Sequence, residues 1–242
     1  MKLHGSMVDF ARPDGRGLSG YLSAPEDPAY APAVLVVQEW WGLNDQIRGV
    51  ADRLASAGYF ALVPDLYRGR TTVEEEEAHH LMNGLDFAEV AAQDLAGALQ
   101  YLGTKANRIG AMGYCMGGAL TLLALCQHSA LSAGVMWYGF PPLEYVEPAK
   151  IRAPVIGHFA IQDAFFSIDT VNELEKRLHD AGVKATFYRY LAHHGFANEN
   201  AVGPGRISRT QFDPVWSEKA WDRTLTFLGR TLWTPAHGDA TA

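Results

Sequence analysis

The chain has 242 residues, 48% of them apolar and 19% charged, with a formal net charge of −7. That composition belongs to a globular protein with room for a sizeable core, and it excludes a disordered or fibrous chain. Acidic and basic residues are mixed along most of the sequence, which argues against nucleic acid or an anionic membrane as the main partner.

The first long apolar run is "APAVLVVQE" (31–39), the pattern of a strand covered on both faces. "DQIRGVADRLASAG" follows, with Ile47, Val50, Leu54 and Ala57 at helical spacing and Gly58 placed as a C-cap. "YFALVPD" is predicted as the next strand, ended by Pro64. The run Glu74 to Glu77 is predicted to open a solvated helix, with Thr72 and Glu75 as a capping box, and helical sequence continues to about Leu102. "RIGAMGYC" reads as a strand entering a tight turn, and "GGALTLLALCQ" as an apolar helix leaving it. "LSAGVMWYG" and "APVIGHFA" are two further buried strands. "IDTVNELEKRLHDAG" is an amphipathic helix ending at Gly182, and "KATFYRYL" a last strand. A closing helix covers roughly 214–230, and 231–242 is predicted as a frayed tail. No repeat or linker divides the chain. The alternation predicts one α/β domain over 1–242, a mostly parallel sheet with helices on both faces.

No stretch near the start has the apolar core of a signal peptide, and no segment approaches the roughly 18 apolar residues that span a bilayer. The two cysteines, Cys115 and Cys126, lie about 16 Å apart at helical rise, beyond the roughly 7 Å that a disulfide allows. Unpaired thiols fit a reducing compartment, and a cytoplasmic location is expected.

Ligands of open parallel sheets gather at the carboxyl ends of the strands, so residues just past each strand are the candidates. Gly113-x-Cys115-x-Gly117 has the spacing of the nucleophile elbow G-x-S-x-G, with cysteine replacing serine. Glycines there let backbone from both sides approach, and a helix N-terminus favours thiolate. The competing reading of Cys115 is a small buried hydrophobe. His194, in "YLAHHGFANE", stands late enough to be the last member in the order nucleophile, acid, histidine, with His193 as its competitor. Asp163, in "HFAIQDAFF", either orients an imidazole or caps a turn, and Asp169 is predicted to cap the following helix. Glu39 ends the first long strand. It is either a surface acid or a buried carboxyl whose pKa rises unless a donor meets it. Trp40 and Trp41 are read as packing or as pocket wall. Neither His79–His80 nor His193–His194 has further ligands at metal spacing, so no metal is expected, and no organic cofactor is implied.

The stretches "QEWWGLN" (38–44), "GYFALVPDLY" (58–67), "GYCMGG" (113–118), "QDAFF" (162–166) and "HGFAN" (194–198) resemble the dienelactone hydrolase family, cysteine hydrolases of the α/β-hydrolase fold. The resemblance implies a sheet of about eight strands, with Cys115 as nucleophile and Asp163 and His194 completing a triad. It selects His194 over His193, because the family histidine stands two residues before the phenylalanine that is Phe196 here. Glu39 matches the family glutamate that contacts the resting thiol and helps activate it. The backbone N–H groups of Met116 and Trp40 would form the oxyanion hole. Trp40, Trp41, Tyr67, Phe165, Phe196 and Asn198 would line the pocket.

The sequence departs from the family at the substrate. Characterised dienelactone hydrolases hold a substrate carboxylate with arginines, one of them just after the H-x-F-A stretch, where this chain has Asn198. Residues 74–101 contain no arginine, while Arg206 and Arg209 lie further along. The expected activity is hydrolysis of a small ester or lactone through a thioester, with little preference for carboxylate-bearing esters. A neutral phosphotriester is the alternative substrate. A binding or sensing protein without turnover is the rival of another class. The expected partner is the small-molecule substrate alone, acting on a monomer or small homo-oligomer, and whether 68–90 covers the pocket is left open.

Overall fold

A computed structural model describes residues 5–203 and 206–233 of the chain. Most of the predicted tail lies outside the described residues, and its first two residues, Thr231 and Leu232, instead finish the last helix.

The described chain opens with a hairpin, β1 (Ser6–Ala11) and β2 (Gly17–Ser23), paired antiparallel with Ala11 opposite Gly17. Next come β3 (Ala33–Val37), β4 (Phe60–Pro64), β5 (Ile109–Tyr114), β6 (Leu131–Trp137), β7 (Val155–Ala160) and β8 (Ala185–Tyr190). All eight join one sheet in the order β1-β2-β4-β3-β5-β6-β7-β8. Strands β3 to β8 run parallel as the alternation requires, and only β1 and β2 are antiparallel to their neighbours. The hairpin has no apolar run to announce it, because β1 has a single fully buried residue, Phe10.

Every residue of β3, β4 and β7 is buried, so both faces of the sheet are covered. Val34 and Val36 pack with α1 (Asp45–Ser56) and α7 (Pro214–Leu232) on one face. Leu35 and Val37 share the opposite core with the helices described next.

Asn44 caps α1 by accepting from the Ile47 N–H, and Gly58 follows the helix with φ +96°, as its sequence position suggested. The acidic run forms α2 (Glu75–Asn83) without the expected capping box. Glu74 is the N-cap, which leaves Thr72 two residues too early, and the Thr72 hydroxyl accepts from the Glu74 N–H at 3.0 Å. The predicted continuous helix to Leu102 breaks after Gly84. Asp86 then caps α3 (Phe87–Glu89), which passes through a π-helical stretch (Val90–Leu95) into α4 (Ala96–Gly103). That stretch directs Asp94 inward, where it meets Arg12 Nη1 at 2.9 Å and Arg68 Nη2 with both oxygens at 2.9 Å.

The apolar helix is α5 (Met116–Gln127), and the amphipathic one is α6 (Ile168–Asp180). Asp169 does not cap α6. Ser167 does, accepting from the Thr170 N–H at 3.2 Å, and Asp169 sits inside the first turn. Cys115 and Cys126 are both free thiols. Among the described residues, no helix is long and apolar enough to cross a membrane.

Candidate active site

Cys115 occupies the single residue between β5 and α5, with φ 52° and ψ −116°. Such backbone costs a non-glycine residue about 1–3 kcal/mol and persists only where the surroundings impose it. A Cβ at Gly113 would collide with the Gly117 carbonyl, and one at Gly117 with the Val37 carbonyl. The glycines of the motif are therefore what lets β3, β5 and α5 close around the turn. Met116 is the first residue of α5, so its N–H has no partner within the helix.

His194 follows β8 and donates Nδ1–H to Asp163 Oδ2 at 2.8 Å, with the side chains 5% and 2% exposed. The ring also hydrogen-bonds Cys115. Burial disfavours the imidazolium, but the charge of Cys115 and the bond to Asp163 outweigh it and push His194 up to about 10. Asp163 makes two sets of contacts at once. Its Oδ1 accepts from the N–H groups of Phe165 (2.7 Å) and Phe166 (3.1 Å), which fixes the carboxylate while Oδ2 meets the histidine. His193 is turned elsewhere, 3.3 Å from the Gln162 carbonyl. Aromatic rings enclose His194: Tyr138 edge-on at 5.1 Å, Phe165 at 4.6 Å and Phe166 stacked at 5.9 Å.

Glu39 is buried, not a surface acid. Its Oε1 accepts from the Tyr138 hydroxyl at 2.8 Å and its Oε2 from the Asn198 amide at 2.7 Å, and the Trp41 side chain donates as well. Burial pushes the carboxyl above its usual range. Tyr138, the positive charge of His194, Asn198 and Trp41 all pull it back. Tyr138 escaped the sequence reading, in which it ended an apolar strand. Its φ is 38° just past β6; its N–H still bonds the His158 carbonyl while its hydroxyl reaches Glu39. A tyrosine at a strand's carboxyl end was the available signal.

Two cavities open on Cys115 and His194, of about 300 and 460 Å³. Trp40 lines both, Trp41 and Asn198 the smaller, and Phe165 the larger. Two expected pocket residues lie elsewhere. Phe196 is fully buried between Trp137, Tyr138 and Tyr190, so it is core. Tyr67 is buried behind the turn, its hydroxyl 3.4 Å from the Met116 sulfur. Segment 68–90 does contribute walls, with Thr72 and Val73 on one cavity and His79, Met82 and Phe87 on the other. Arg206 lines the smaller cavity. Arg209 lines the larger, but its guanidinium pairs with Glu75 at 2.9 Å and lies over the Phe165 ring. No group of three His, Cys, Asp or Glu side chains among the described residues is placed to hold a metal.

A mostly parallel eight-stranded sheet, covered on both faces, whose β5–α5 turn raises a thiol at the carboxyl edge, is an α/β-hydrolase fold. Residues 18–232 match the model of the dienelactone hydrolase family, and the chain belongs to that family. A putative carboxymethylenebutenolidase of Aquifex aeolicus is 28% identical over 237 residues, 93% of this chain and 97% of that one. The structure of a putative dienelactone hydrolase from Klebsiella pneumoniae superposes with a TM-score of 0.79 at 26% identity, covering 93% of this chain and 99% of the other. A dienelactone hydrolase-like promiscuous phosphotriesterase from metagenomic libraries shares the fold, with a TM-score of 0.82 at 20% identity over 94% and 99% of the two chains. The protein is thus a dienelactone hydrolase-like enzyme of the ester and lactone hydrolase kind.

Proposed function

We propose that the chain hydrolyses small carboxylic esters or lactones through a cysteinyl acyl-enzyme, with Cys115 as nucleophile, His194 as acid and base, and Asp163 as its orienting carboxylate. The observation that carries this reading is the position of His194, bonded to Asp163 on one side and to Cys115 on the other. The Cys115 thiolate, its proton held by His194, attacks the substrate carbonyl carbon. The resulting oxyanion is received by the N–H groups of Met116 and Trp40, each worth about 3 kcal/mol in comparable sites. Collapse breaks the C–O bond, and His194 gives its proton to the leaving oxygen. A water that loses its proton to His194 then hydrolyses the thioester, releasing the acid and restoring the thiol. Glu39 places a second negative charge beside His194, which favours the imidazolium and hence the thiolate.

The test is Cys115→Ala on an ester panel with burst-phase detection. Loss of the burst and of turnover by at least about 10³-fold is expected. Turnover equal to that of the parent would overturn the nucleophile.

The larger cavity favours a second substrate for the same machinery. Its one arginine is already paired with Glu75, so its walls suit an uncharged phosphotriester. The structural neighbour that is a promiscuous phosphotriesterase points the same way. Turnover of a neutral dialkyl aryl phosphate, lost together with ester turnover in Cys115→Ala, would support this reading, and no turnover would remove it.

A further inference from the structure

The two cavities at Cys115 differ in chemistry. The larger is walled by Met82, Phe87, Ala119, Phe140 and Phe166 with Pro141 and Pro142, and its polar members outside the catalytic pair are His79 and Arg209. Both are engaged elsewhere: His79 with the Asn83 amide at 2.8 Å, and Arg209 with Glu75. Beyond the second His79 nitrogen and the remaining Arg209 N–H groups, the side chains facing that space are apolar, so desolvating a substrate polar group there is costly. The smaller has a mixed lining, with Asn44, Thr72, Asn200, Thr210 and Arg206 beside Trp41, Val73 and Ile207. Among the described residues, the Arg206 guanidinium has no hydrogen-bond or ion-pair partner. Trp40, Cys115 and His194 are the residues common to both walls, so the sulfur stands where the two spaces meet.

We propose that the substrate is a two-armed ester: an apolar arm, of alkyl-chain or aryl size, sits among Met82, Phe87, Phe140 and Phe166, and a short polar arm sits beside Asn44, Thr72 and Arg206. This inference rests on the ester-hydrolase reading of Cys115 and adds which kind of ester the site takes. The reacting carbonyl lies over the sulfur between Trp40 and His194, with one arm on each side. Apolar burial then acts chiefly on the arm in the larger chamber.

The experiment lengthens each arm separately, comparing methyl acetate with methyl butanoate, methyl hexanoate and methyl phenylacetate, and with butyl, hexyl and benzyl acetate. On the arm that enters the larger chamber, each added methylene is expected to raise kcat/KM by about fourfold until the space is filled. The other arm should gain less than half as much per methylene, because polar side chains interrupt its walls. Ala119→Phe, which places a ring in that chamber, should lower the ratio of long-chain to acetate turnover by at least about tenfold. Equal gains on both arms, or a ratio indifferent to Ala119→Phe, would overturn the two-chamber inference while leaving Cys115 as nucleophile.

Alkylation of Cys115 in the unmodified protein by iodoacetamide and its N-butyl and N-hexyl derivatives decides the chambers without any turnover, and without a variant that must fold. Rates rising with chain length are expected, and a flat series overturns the apolar chamber. Should no ester be hydrolysed, the reaction itself is wrong, and this labelling series still answers for the chambers.

Discussion

Asn198 donates its side-chain N–H to Glu39 Oε2 at 2.7 Å, joining two buried residues 159 positions apart. The position that lacks the family arginine thus holds a neutral donor to a carboxylate. A carboxylate out of water needs such donors, and each is worth about 1.5–3 kcal/mol.

Removing either donor should make Glu39 harder to ionise. Asn198→Ala is expected to lose about 2 kcal/mol of stability in urea unfolding at pH 7. Tyr138→Phe withdraws another of the hydrogen bonds with little change of volume. In both variants the acid limb of the kcat/KM profile should move to higher pH. A limb that stays in place in both would mean that the ionised form of Glu39 is not required.

Asp163→Asn separates the two tasks of that side chain. The amide oxygen can still accept from Phe165 and Phe166, so the loop should remain, but His194 would face an N–H where it now meets an acceptor. A fall in kcat of about 10⁴-fold is expected with a nearly unchanged melting temperature. Asp169→Asn, inside the first turn of α6, should stay within twofold of the parent. The reverse outcome would move the acid to Asp169.

His158 ties stability to acid. It lies in the core between Tyr190 (2.8 Å) and Thr224 (2.9 Å), and burial lowers it from 6.5 to about 3. The unfolded chain therefore takes up a proton below pH 6.5 that the folded chain refuses until about 3, and acid favours unfolding. At pH 5 this residue costs about 2 kcal/mol relative to pH 7. His194 has the opposite sign, its stabilisation complete below 6.5 and lost as pH rises through about 10. Urea unfolding of His158→Asn between pH 7 and 5 should show a flatter decline than the parent. Parallel declines would contradict the assignment.

Asp94 is the buried centre of an ion-pair cluster, 2% exposed and shared by Arg12 and Arg68. Asp94→Ala takes one carboxylate from the buried Arg12, which keeps Asp14 and Glu89, and is expected to cost about 1.5–3 kcal/mol. Glu77→Ala breaks an exposed pair with Arg70 and should cost less than about 1 kcal/mol. Similar losses in the two variants, read from chemical denaturation, would refute the distinction.

The parts legible in the sequence were those with a local signature. Central strands appear as apolar runs because both of their faces are covered. Cys115 is marked by glycines that the turn cannot do without, and Asp163 and His194 stand directly after strands. What escaped depends on distant partners. Tyr138 looked like strand because its positive φ has no local marker, and Asn198 looked like a missing arginine until Glu39 was found beside it. Phe196, placed in the pocket by the resemblance, is fully buried in the core two residues past His194. Thr72 and Asp169 carried good capping chemistry at positions two residues early and two residues late.

The ion pairs around Asp94 also make a mechanical line through the molecule. Arg12 leaves the end of β1 and grips Asp94, which grips Arg68. Arg68 is joined by one peptide bond to Tyr67, whose hydroxyl touches the Met116 side chain. The amino-terminal ribbon is therefore a brace whose far end reaches the turn that carries the thiol. Trimming the chain as far as Arg12 would slacken that brace, and the damage would register at Cys115, at the opposite end of the line.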